Sequence, residues 1–176
     1  SSYATERVNR GGGRMDALGI RMTVALYLAA GSGEMKLQST DPNQQPFLDY
    51  NYLQEEFDRK RLREGVHIAV ELGKHPDYAA LVEELIEPLE SDIASDDALD
   101  DWLRREATTG QHISGTCKMG QASDDMAVVD QHGRVHGIEG LRVVDASVMP
   151  DCIRANTNVT TMMIGERISD FIRNKA

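Results

Sequence analysis

Twelve residues, Thr109 to Gly120, hold the densest collection of reactive side chains in the sequence: "TGQHISGTCKMG" brings together His112, Ser114, Thr116, Cys117 and three glycines. Three chemistries use such a mixture. Zinc binding needs converging nitrogen and sulfur ligands. The chain has five histidines and two cysteines, but Cys117 and Cys152 form no C-x-x-C pair. His132 and His136 are spaced i, i+4, which shares a face only on a helix. Their surroundings, "DQHGRVHGIEG", read as a strand with turns, so no metal is expected. A serine hydrolase would use His112, Ser114 and an aspartate, yet no G-x-S-x-G elbow occurs. The third chemistry makes His112 a general base beside a bound cofactor, with Gly115 and Gly120 letting the backbone pass close to a flat ring or a phosphate and Thr116 donating a hydrogen bond.

The last third of the chain favours this third reading. "GIEGLRVVDASVMP" reads as a buried strand, "LRVV", ending in Asp145, Ala146 and Ser147. In open α/β sheets, ligands sit at the carboxyl ends of strands. "RANTNVTTMMIGERISDFI" then places Asn156 and Asn158 at the start of a helix. The free N–H groups and positive dipole of a helix start stabilise a nearby anion. A histidine loop, a strand ending in Asp-Ala-Ser and a helix start bearing asparagine together make a site that removes a proton beside a negatively charged cofactor.

The elements that must position these residues follow from periodicity. Met22, Val24, Leu26 and Leu28 alternate as in a half-buried strand; Gly31-Ser32-Gly33 turns the chain, and Met35 and Leu37 alternate again, giving a hairpin. No helix follows that glycine pair, so it is a poor phosphate cradle. "FLDYNYL" is a further short strand. From Gln54, the residues Phe57, Leu62, Val66, Ala69, Val70 and Gly73 mark an amphipathic helix, with Pro76 either ending it or starting the next. A second helix is expected over "YAALVEELIEPL" up to about Pro88, and a third over "SDDALDDWLRREA", with Ser95 as N-cap. The acidic cluster there lacks the Asp-x-Asp-x-Asp-Gly spacing of a calcium loop. A closing helix carries Met163 or Ile164, Ile168, Phe171 and Ile172 on one stripe. At the other end, "NRGGGR" reads as a linker, because no strand precedes its glycines.

The formal net charge of −10 argues against non-specific binding to nucleic acids or anionic membranes and leaves small molecules and protein partners open. No apolar run approaches the roughly 20 residues of a membrane span, and the first residues lack the apolar core of a signal peptide. Two cysteines make no disulfide framework, so a cytoplasmic setting is expected. Without an initiator methionine, the chain reads as a processed product or a fragment.

"HISGTCKMG", "AVVDQHGRVHGIEGLRVVDASVMP" and "NTNVTTMMIGERISDFI", in this order from about Gln111 to Ile172, resemble the C-terminal part of the glucose-methanol-choline (GMC) oxidoreductases, flavoenzymes that oxidise alcohols with FAD. "VALYLAAGSGEMKLQSTDPNQQPFLDYNYL" is similar, more loosely, to the substrate-binding region of that family. The resemblance implies that His112 is the catalytic base and Asn156 its partner, the asparagine being similar to the choline-oxidising branch. It implies that Asp145 and Ala146 lie along the ribityl and pyrophosphate of FAD, and that Asn156, Thr157, Asn158 and Val159 approach the pyrimidine edge of the flavin. The implied reaction removes the hydroxyl proton to His112 and transfers hydride to flavin N5.

The implied fold class is α+β: an antiparallel or mixed sheet with helices on one face forms the substrate domain, beside the closing strand and helix of an FAD-binding Rossmann-like domain. Residues 1–20 would be a join, 21–110 the first part of the substrate domain, 111–140 the histidine loop and return strands, and 141–176 the end of the FAD-binding domain. Two departures stand out. Ile113-Ser114 replaces the proline that many relatives carry after the histidine, and G-x-G-x-x-G is absent. The implied partners are therefore an alcohol and an N-terminal FAD-binding half, on the same or a second chain. Alternatives are a lyase of the same fold that cleaves cyanohydrins and a non-catalytic domain that keeps the fold.

Overall fold

A computed structural model describes residues 21–78, 81 and 84–174. Among these are three α-helices, α1 (Glu56–Gly73), α2 (Asp96–Glu106) and α3 (Asn158–Arg173), and one two-stranded antiparallel sheet, β1 (Glu34–Lys36) with β2 (Phe47–Asp49). This is a small α+β structure, as expected. The chain divides into two compact units, one holding the stretch up to Ala25 with Arg59–Glu106, the other Leu26–Asp58 with Ala107–Ala176.

In the first unit, Val66 and Val70 of α1 lie one turn apart and are buried, as are Leu99 and Leu103 of α2. Leu99 is wholly enclosed. Charge joins the two helices as well. Asp100 accepts from Arg63 Nη1 at 2.7 Å and faces Arg59 Nε at 3.2 Å, while Arg63 Nε lies 3.4 Å from Asp96. Asp100 and Arg63 are themselves buried, so this clip works where water screens little. The start of α2 follows the expected cap: Ser95 Oγ accepts from the N–H of Ala98 at 3.2 Å. Acids fill its first turn and Arg104 and Arg105 its last, as the helix dipole favours.

Three expectations are corrected. The strand over Met22–Leu28 does not form. Burial does alternate from Arg21 to Leu26, but the run has no strand partner among the described residues, and Leu28 at φ 51° leaves the extended region. The hairpin instead pairs the 34–36 run with the 47–49 run, Met35 standing opposite Leu48. Gly33 is required where β1 begins, because a Cβ there would collide with the Asp49 carbonyl oxygen. The helix over "YAALVEELIEPL" falls partly outside the described residues; Pro76–Tyr78 forms a single 3-10 turn, and Glu84–Ile86 are not helical. The linker reading of "NRGGGR" lies outside the described residues altogether.

The third correction falls in the second unit. "LRVV" is not a buried strand: Leu141 is 47% exposed, and the run makes one isolated bridge, Arg142 to Arg134. A strand is buried only when neighbours flank it, and here the backbone crosses itself in single bridges instead. Val129 sits at the centre, bridging both Met119 and Val135 with no exposed surface. Helix α3 seals this network through Ile168, 2% exposed, and through Phe171, whose ring meets the His132 ring edge-on at 4.5 Å. Gly133, at φ +72°, lets the chain pass beneath the helix; a Cβ there would stand 2.8 Å from the Val143 carbonyl oxygen and 2.9 Å from Ile168.

Candidate functional site

The loop that carries His112 leaves the extended region at Gln111 (φ 62°) and again at Gly115 (φ 82°). Beyond it, backbone hydrogen bonds stitch the segment to the turn that precedes α3. The N–H of Cys117 donates to the Ser147 carbonyl and that of Met119 to the Val148 carbonyl, each at 2.9 Å. That turn is the 3-10 segment Ala146–Val148, capped by Asp145, whose Oδ1 accepts from both the N–H and the hydroxyl of Ser147. Val148 and Met149 anchor it in the core, and it packs against α3. Histidine loop, Asp-Ala-Ser turn and closing helix are thereby one hydrogen-bonded assembly within the second unit.

His112 and the start of α3 meet directly. His112 Nδ1 lies 3.1 Å from the Thr157 hydroxyl oxygen, and Thr157 is buried. Thr157 occupies the N-cap position of α3 but its side chain caps nothing, being turned to the histidine. Its carbonyl receives both the N–H and the hydroxyl of Thr161. Asn158 and Val159 follow it, both exposed, Val159 at 71%. Asn156 is exposed and reaches the histidine through a third residue. The Tyr27 hydroxyl donates to Asn156 Oδ1, and the Tyr27 ring stacks on the His112 imidazole with centroids 5.8 Å apart at 30°. No protein partner is recorded among the described residues for His112 Nε2 or for the Asn156 amide nitrogen.

Of the residues singled out from sequence, His112, Asn156 and Thr157 come together, Asn158 and Val159 open the helix beside them, and Asp145 and Ala146 lie in the turn that the histidine segment is bonded to. Tyr27 was not found from sequence. It stands between Leu26 and Leu28 in an alternating apolar run, where an aromatic ring reads as strand filler; its phenolic oxygen was the one available signal.

Two carboxylates steady the neighbouring loops. Burial pushes the Asp130 carboxyl up, but the backbone N–H groups of Arg134 and His132, helped by the Arg134 charge, outweigh it and hold the group below the usual range. Asp124 is lowered chiefly by the Met126 N–H and then by Lys118, 3.0 Å away. His136 turns to the Gly120 carbonyl and His132 to Phe171. Among the described residues, no three His, Cys, Asp or Glu side chains are grouped as a metal ion requires. No described helix is long and apolar enough to cross a membrane. Both cysteines are free thiols, half-buried.

Comparison with known proteins gives this arrangement a context. The chain is 42% identical, over 165 residues, to an oxygen-dependent choline dehydrogenase of Cronobacter sakazakii, covering 94% of this chain but 29% of that relative. Similar folds occur in pyridoxine 4-oxidase from Mesorbium loti (TM-score 0.72, 29% identity, 81% of this chain and 27% of that one). They occur too in a formate oxidase of Aspergillus oryzae RIB40, solved to follow FAD modification (TM-score 0.74, 31% identity, 84% of this chain and 25% of that one). The chain thus spans less than a third of the length of these relatives. A family profile described as GMC oxidoreductase, for the C-terminal domain, matches residues 29–165, a stretch that takes in the hairpin, the histidine loop and the first turns of α3. The chain therefore belongs to the GMC oxidoreductase family and carries its C-terminal domain.

Proposed function

We propose that this chain supplies the catalytic base and the flavin-facing helix of an FAD-dependent enzyme that oxidises a CH–OH group. The observation that carries the proposal is the pairing of His112 Nδ1 with Thr157 at the start of α3, beside Asn156. With Nδ1–H donating to the threonine oxygen, the lone pair of Nε2 is left to take the proton of a substrate hydroxyl. Asn156 holds the substrate oxygen through its amide N–H without adding a charge that competes with the base.

The residues fit FAD by the chemistry of their donors. Helix α3 begins without a side-chain cap, so its first N–H groups and its dipole are available to a negatively charged ring edge. Asn158 and Val159, both exposed, would flank that edge. Asp145 keeps Oδ1 for Ser147 and offers Oδ2, an acceptor, to a ribityl hydroxyl, with Ala146 beside it. Bound FAD would accept the hydride released as the alcohol becomes a carbonyl. The dinucleotide end needs a G-x-G-x-x-G segment, which belongs to an N-terminal FAD-binding half on the same or another chain. In this reading residues 1–20 are the join, 21–110 the first part of the substrate domain, 111–140 the histidine loop and return strands, and 141–176 the closing part of a Rossmann-like FAD domain. The ordered motifs and the 42% identity to a choline dehydrogenase support it.

The test uses the enzyme assembled with its FAD-binding half and choline as first substrate. Under anaerobic conditions, His112→Ala should slow flavin bleaching by at least ~100-fold, measured by stopped-flow absorbance. Bleaching at the unsubstituted rate would overturn the assignment. No bleaching by any alcohol, with intact FAD binding, would turn the reading to a lyase.

A further inference from the structure

Tyr27 stands far from the histidine motif in sequence yet touches both halves of the site. Its hydroxyl donates to Asn156 Oδ1 across 129 residues of chain, and its ring stacks on His112. A primary amide has two faces of similar shape and opposite chemistry, a carbonyl that accepts and an NH2 that donates. A substrate alcohol losing its proton needs the donor. Asn156 is exposed just before α3, and among the described residues only Tyr27 hydrogen-bonds its side chain; without that bond the carbonyl could turn toward the substrate oxygen and repel its growing negative charge.

From this geometry we infer that Tyr27 is a positioning residue: its phenol occupies the carbonyl end of Asn156, so that the amide presents only N–H to the substrate oxygen, while its ring fixes the plane of the His112 imidazole. Base and hydrogen-bond donor are held as one unit by a residue in neither motif. The same contact sets the kind of ligand the site takes. An oxygen that gains negative charge is favoured beside the amide, and a group that must donate a hydrogen bond at that point is not. The inference rests on the proposed function, since it assigns Tyr27 a part in the same proton removal.

The test is a double-mutant cycle in the enzyme assembled with its FAD-binding half, read by anaerobic flavin reduction with choline. Tyr27→Phe keeps the ring and removes the O–H. It should lower the limiting rate about 10-fold, leave the thermal midpoint within a few degrees, and change KM far less than the rate. In an Asn156→Ala background the same substitution should add less than about a 2-fold loss, because the amide it orients is gone. Full additivity of the two losses, or a Tyr27→Phe rate equal to that of the unsubstituted enzyme, overturns the inference. If Tyr27→Phe lowers the thermal midpoint by more, the comparison moves to Tyr27→His, which retains a ring and a donor. A Tyr27→His rate above that of Tyr27→Phe supports orientation of the amide; equal rates overturn it. The His112→Ala control separates the two ideas: a slow His112→Ala enzyme with a normal Tyr27→Phe enzyme removes the role of Tyr27 alone, and a normal His112→Ala enzyme removes the proposed function itself.

Discussion

Asp130 holds its loop by accepting from two backbone N–H groups, His132 at 2.8 Å and Arg134 at 2.9 Å, and those bonds exist in full only for the carboxylate. Its folded acidity is stronger than its unfolded acidity. The stabilisation is therefore complete above the ordinary carboxylate range and disappears as pH falls through the lower folded value. Asp130→Ala should cost about 1–2 kcal/mol near neutrality, toward the low end because the group is partly solvated, and progressively less at acid pH. Urea unfolding at a series of pH values checks this; a cost that does not change with pH contradicts it. At the same scale, legibility followed the reach of the interactions. His112 and Asn156 stood out in the sequence because each sits in a short ordered motif. The hydroxyl of Thr157 as the partner of His112, 45 residues away, was not, because nothing local in either segment encodes the other. Tyr27 was missed for the same reason.

Among elements, helices were more legible than strands. Helix α2 appeared with its cap in place, since Ser95 and Ala98 are three residues apart and the cap needs nothing else. The run before the hairpin kept its alternation of burial without becoming a strand, and "LRVV" formed a single bridge, because a strand exists only through a neighbour that sequence pattern does not specify. The charged clip between α1 and α2 escaped sequence reading too, Arg63 and Asp100 being two among many charges. Its burial makes it matter. Asp100→Ala should cost about 3 kcal/mol, because it removes the acceptor of two guanidinium contacts where water is scarce. Asp101→Ala, next to it, loses only an exposed i, i+3 pair with Arg104 and should cost less than about 0.5 kcal/mol. Equal losses in chemical denaturation would refute the distinction.

For the molecule as a whole, the exposed apolar side chains point to what the proposed function requires. Val159, Met162 and Met163 lie in the first turns of α3, and each is more than half exposed. If the proposed function holds, an FAD-binding half would cover these positions, which meet water in the chain by itself. Brief peroxide treatment followed by peptide mass spectrometry should oxidise Met162 and Met163 in the isolated chain and spare them in the assembled enzyme. Equal oxidation in both would place the FAD-binding half elsewhere. The order in which the site is written into the chain adds a constraint on its making. Tyr27 is synthesised first, His112 much later, and the asparagine and threonine that hold them 129 and 45 residues after their respective partners. On the ribosome the His112 imidazole emerges with no threonine to orient it, and it stays so until the start of α3 has cleared the exit tunnel. A nascent chain stalled anywhere before Thr157 therefore carries a His112 whose Nδ1 has yet to meet its hydroxyl partner.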